Sequence, residues 1–144
     1  MKKLNEVLLL SAISIIFLFS NQSFCDEKKE DNYLKIKTIV YYFHSNIRCE
    51  TCNTLEDFTK DAVMKYFSKE IEETSVELKI TNIDEKNNEQ YINKYDLYMQ
   101  TVILLKIVNG KEIKFKTLDT IWDLVEDKEK YYLYIEQEIK EFMK

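Results

Sequence analysis

Hydrophobic and polar positions along this chain alternate between two periodicities. From Lys35 to Phe43, Ile36, Ile39, Val40, Tyr41, Tyr42 and Phe43 make a β-branched and aromatic run, the signature of a buried strand. Leu55, Phe58, Ala62, Val63 and Tyr66 then recur at helical spacing, predicting a long helix that ends near Glu72. Val76 to Asn82 reads as a second strand, about Asn88 to Tyr95 as a short helix, and Thr101 to Val108 as a third strand. Asn109-Gly110 places the only glycine of the chain where a two-residue hairpin turn needs positive φ, so Lys111 to Lys116 is a fourth strand, antiparallel to the third. Thr120 to Lys144 is helical with a break, Asp127 a candidate N-cap, and Tyr131, Ile135, Ile139 and Phe142 its buried stripe. The order is β-α-β-α-β-β-α, without repeats or a second domain.

The N-terminus has a different character. Met1-Lys2-Lys3 supplies positive charge, Val7 to Phe19 is nearly all apolar, and a polar stretch follows from Ser20. The apolar run is shorter than the roughly 20 residues of a spanning helix and matches a signal-peptide core. Residues 1–25 are therefore expected to be a signal peptide, cleaved after Ser23-Phe24-Cys25 or processed as a lipoprotein signal with Cys25 acylated. An uncleaved anchor is the third reading. Each sends the domain out of the cytoplasm, to the periplasm or outer cell envelope, with membrane attachment through the N-terminus left open. Residues 26–33 read as a charged tether, and 34–144 as a single domain. A formal net charge of −5 and a pI near 5.1 argue against nucleic-acid binding as the main activity.

Export leaves Cys49 and Cys52 as the only thiols of the mature chain, the inventory of a redox site and not of a stapled scaffold. They lie in His44-Ser45-Asn46-Ile47-Arg48-Cys49-Glu50-Thr51-Cys52, where the first strand gives way to the long helix. A helix N-terminus and the neighbouring Arg48 both favour thiolate on Cys49, the expected attacking sulfur; Glu50 opposes them. Cys52, one turn further on, is the expected resolving thiol. Thr51 can hydrogen-bond a sulfur or its own backbone. His44, the only histidine, is either a proton donor and acceptor for the site or a strand-end histidine bonded to backbone.

A CxxC at the first strand-to-helix junction of this element order resembles the thioredoxin-like superfamily. Ile39 to Phe43, Asn82-Ile83-Asp84 with Lys94-Tyr95-Asp96-Leu97, and Thr101 to Ile113 correspond to its core strand, second βα unit and terminal hairpin. Closer still, Tyr41 to Cys52 and Ile121 to Val125 are similar to the small exported thioredoxin-like proteins named ArsF, labelled a nitroreductase subunit. The resemblance implies a three-layer α/β/α fold with a four-stranded mixed sheet. It also implies thiol–disulfide exchange with a partner protein, a small molecule or a membrane-bound electron donor or acceptor, and no cofactor.

Three departures accompany it. The chain has no proline, and Gln100, just before Thr101, stands where thioredoxins carry the cis-proline that faces the active-site disulfide. A cis bond there without proline costs roughly 2.5–4 kcal/mol, so a trans Met99–Gln100 peptide is expected. The first strand lacks the buried aspartate of thioredoxins, and Arg48 replaces the tryptophan usual before the first cysteine. Two other functional classes stay open. The Cys49–Cys52 dithiol suits a soft metal or metalloid, although a closed zinc site wants four ligands. A non-catalytic binding subunit would use the tyrosines at 91, 95 and 98 and at 131, 132 and 134 as an interface, against the simpler account of core packing. Trp122 reads as a core anchor.

Overall fold

The computed structural model describes residues 34–144, so the expectations of a signal peptide at 1–25 and a tether at 26–33 lie outside the described residues. Four strands, β1 (Ile36–His44), β2 (Val76–Asn82), β3 (Thr101–Val108) and β4 (Lys111–Thr117), form one mixed sheet in the order β2-β1-β3-β4. β1 and β2 run parallel, with Val40 opposite Leu78, and a parallel pair needs a crossover, here the 23-residue helix α1 (Glu50–Glu72). β3 is antiparallel to β1 and β4. Asn109 (φ 51°) and Gly110 (φ 79°) both occupy the left-handed region that a tight hairpin of this twist requires.

Alternation along β1 sorts the core into two layers. Val40 and Tyr42 face α1 and the C-terminal helix α3 (Lys128–Met143), joining Leu55, Ala62, Val63, Tyr131, Ile135 and Ile139. Ile39, Tyr41 and Phe43 face the opposite side, where the seven-residue helix α2 (Glu89–Tyr95) contributes Tyr95. Helices on both faces of a four-stranded mixed sheet make the three-layer thioredoxin-like α/β fold that the element order implied.

The sequence-based elements agree with the observed ones to within a residue or so, with one difference. Before the expected break at Asp127, the stretch from Thr120 is not α-helical. A 3-10 turn (Asp119–Trp122) comes first, and α3 starts only where the extended Asp127 accepts the Lys130 amide on Oδ1, 3.1 Å away. That side-chain acceptor satisfies a free N–H of the first turn, so the helix begins at the cap foreseen at the break. Among the described residues no helix is long and apolar enough to cross a membrane.

Candidate functional site at the end of the first strand

β1 lies inside the sheet between β2 and β3, and the candidate site lies at its carboxyl end. The chain leaves the strand at His44, passes through Ser45–Arg48 and enters α1 with Cys49 as the N-cap residue. Two junctions hold this loop. Asn46 donates its amide to Asp84 Oδ2 (2.7 Å) and accepts from Asn82 Nδ2 (2.8 Å). On the other side Gln100 Nε2 donates to the Ile47 carbonyl (3.1 Å).

Cys49 and Cys52 are disulfide-bonded, with Cα atoms 5.0 Å apart. Cys49 is exposed, whereas Cys52 is buried. The Cys52 amide donates to Cys49 Sγ at 3.0 Å, so the sulfur takes the place that a serine or aspartate oxygen takes in an ordinary N-cap. After reduction the same N–H and the helix dipole favour negative charge on that sulfur. From beneath, the buried Tyr42 hydroxyl donates to the Cys52 carbonyl (2.7 Å), tying the cysteine turn to β1. Burial pushes the Tyr42 phenol above its ordinary range, so it remains a donor at any pH the protein meets.

The remaining predicted residues divide. Gln100 and Thr101 lie beside the loop: the Met99–Gln100 bond is trans, Thr101 is buried opposite Phe43, and Trp122 Nε1 donates to the Gln100 carbonyl (2.9 Å). Trp122 thus anchors the backbone at Gln100, whose side chain bonds the cysteine loop, more than the core role read from sequence. Thr51 is half-buried in the turn between the cysteines. His44 Nδ1 lies 3.0 Å from the Ser45 carbonyl, the contact expected of the backbone-bonded alternative. Arg48 differs from expectation. Its guanidinium is held by partners on the helix, with Nε donating to Asn53 Oδ1 (3.1 Å) and Nη2 to Glu56. Among the described residues no three His, Cys, Asp or Glu side chains converge as a metal site would need.

Glu56 is the residue that sequence reasoning passed over, because a lone acid on a helix reads as solvated. It is only 7% exposed, and its two oxygens pair with Arg48 and Lys60. Burial alone would raise its carboxyl; the bonds from Lys60 and Arg48 outweigh this and hold it below the usual carboxylate range. Its spacing carried a signal, four residues after Cys52 and four before Lys60. A group whose folded value is depressed contributes stability that is complete above its unfolded value of about 4.3 and is lost as pH falls through the folded one. The urea midpoint of the parent is therefore expected to fall between pH 5 and 3, and Glu56→Gln to reduce the slope. An identical slope in the variant would remove Glu56 from the acid response.

No family model and no curated protein matches this chain. Solved structures do. Thioredoxin O2 of Arabidopsis thaliana in its oxidised state is 18% identical over 67% of this chain and 76% of its own, with a TM-score of 0.41. Thioredoxin-2 of the malaria parasite is 23% identical over 67% and 84%, with a TM-score of 0.40. The reduced Schistosoma mansoni thioredoxin pre-protein is 20% identical over 66% and 79%, with a TM-score of 0.38. These matches are distant, and the assignment of the fold rests on the strand order and the placing of the helices.

Proposed function

We propose that this chain is an exported thiol–disulfide oxidoreductase working through Cys49 and Cys52. The observation that carries the reading is the pairing of an exposed sulfur, capped by a helix amide, with a buried one three residues on. In the reductive direction the Cys49 thiolate attacks a partner disulfide, forming a mixed disulfide and releasing one partner thiolate. Cys52, deprotonated, then attacks Cys49 Sγ, closing the internal disulfide and releasing the second partner thiolate. Two electrons pass to the partner; the oxidative direction is the reverse.

The partner class we favour is a protein. Ile47 and Tyr98, each 81% exposed, and the exposed Met99 lie on the two loops that Gln100 joins. An extended segment with a cysteine would meet apolar side chains there as well as the sulfur. The resemblance of Tyr41–Cys52 and Ile121–Val125 to ArsF-type proteins supports the finer family, and the Lys2-Lys3 and Val7–Phe19 pattern supports export.

The deciding measurement is the reduction potential of purified protein in glutathione or dithiothreitol buffers, with bound metal assayed alongside. A reversible two-electron couple between about −120 and −270 mV is expected, its position setting the direction of electron flow. A disulfide that resists reduction below about −300 mV would make the bridge structural, and thiols protected by stoichiometric metal would replace exchange with metal binding.

A further inference from the structure

Arg48 and Glu56 bracket the cysteine turn. Arg48 directly precedes the attacking sulfur in sequence, so an unpaired guanidinium there would stabilise a Cys49 thiolate. Its two recorded bonds lead elsewhere, to Asn53 and Glu56, one and two turns into α1. Glu56 lies four residues after Cys52, on the same face of the helix, and its side chain is only 10% exposed. With one oxygen on Arg48 and the other on Lys60, the carboxylate is poorly placed to take a proton from Cys52. It is well placed to hold a cation still. Of the other charged or titratable groups at this turn, Glu50 and Asp57 are exposed on α1, while Tyr42 from β1 and Tyr131 from α3 are buried phenols raised by burial.

We infer that Glu56 is a positioning residue for Cys49: it draws the Arg48 guanidinium along α1, away from the sulfur, and so keeps the thiol less acidic and the disulfide less oxidising. The inference rests on the exchange reading but can fail separately. Loss of Glu56 frees Arg48 to approach the nascent thiolate, whereas loss of Arg48 removes a cation that is already neutralised. The two substitutions are therefore unequal and coupled.

The test is a double-mutant cycle on the full chain carrying Cys25→Ser, so that only the two site thiols titrate. The pKa of Cys49 is read from thiolate absorbance and from the pH profile of alkylation. Glu56→Gln is expected to lower that pKa by about one unit or more. It should also shift the glutathione equilibrium toward the reduced form, by up to about tenfold or about 30 mV for a two-electron couple at a pH above both thiol pKa values. Arg48→Met alone should move the pKa much less, and Glu56→Gln added to Arg48→Met should lose most of its effect. Glu56→Asp, which keeps the charge but shortens the reach to Arg48, is the second variant and is expected to follow Glu56→Gln. An unchanged Cys49 pKa in Glu56→Gln overturns the inference. So does an equal drop with and without Arg48, which would mean that the carboxylate acts on the sulfur directly. A parent disulfide that fails to cycle with glutathione sinks the exchange reading instead, and the thiol pKa values still decide the role of Glu56.

Discussion

Replacing Cys49 by serine is expected to reduce disulfide exchange to the background of the free reagents, while replacing Cys52 traps the protein on its partner. The asymmetry follows from burial and capping. Only the Cys49 sulfur is exposed, and only it sits on the α1 amide that stabilises a thiolate. A serine hydroxyl at that position still accepts the amide, so the fold is kept and the nucleophile is lost. Cys52, 4% exposed, cannot reach a macromolecular disulfide first, but its Cα lies 5.0 Å from that of Cys49. Its attack on a mixed disulfide is intramolecular, and such placement accelerates a step by orders of magnitude over the same thiol free in solution. In Cys52→Ser the mixed disulfide should persist at least roughly a thousandfold longer. Non-reducing gels and mass spectrometry of the trapped species would identify the partner. If Cys52→Ser cycled as fast as the parent, the two-thiol mechanism would be wrong.

The largest expected loss of stability is at Tyr131. Its ring is fully buried between α3 and α1, edge-on to Phe58 with centroids 5.5 Å apart, and its hydroxyl shares a small network with Thr59 Oγ1 (2.7 Å) and the Leu55 carbonyl (3.2 Å). Truncating a buried aromatic of this size costs about 3–5 kcal/mol, a large share of the roughly 5–15 kcal/mol that holds a domain folded. Tyr131→Ala is thus expected to shift the urea midpoint strongly downward. Tyr131→Phe should cost only about 1 kcal/mol, because Thr59 keeps its own bond to Leu55. Urea unfolding of the three proteins checks both, and an alanine variant within about 1 kcal/mol of the parent would contradict this account of the core. The position matters to the site as well. Tyr131 grips α1 at Leu55, one turn below Cys52, so loosening it is expected to disturb the cysteine turn.

Most of the architecture was legible in the residues. Strands β2 and β3 fall where the β-branched runs begin and end: β2 alternates apolar and polar residues as a half-buried strand does, while β3 opens with an apolar run buried on both faces. The hairpin followed from one dipeptide, because Asn109-Gly110 is the one place where the chain tolerates two consecutive positive φ angles cheaply. The stripe Tyr131, Ile135, Ile139 and Phe142 is buried as its period implied. Of the tyrosines weighed as an interface, Tyr95, Tyr131 and Tyr132 are core residues, and Tyr98 stands out in solvent.

What periodicity could not reach was the pairing of charges. Arg48 beside Cys49 in sequence suggested a cation on the sulfur, and an acid in a helix suggested a solvated face; together they form a bridge that spends Arg48 on Glu56. Sequence by itself determined the element order and the location of the thiols at a strand-to-helix junction, because hydrophobic period and turn chemistry are local properties. Only the tertiary structure decided that Trp122 holds the backbone at Gln100, that Arg48 pairs with Asn53 and Glu56 and that Glu56 is buried. Burial and partner choice depend on what neighbouring elements bring to a point, and a long side chain such as that of Arg48 has several partners in reach until packing selects among them.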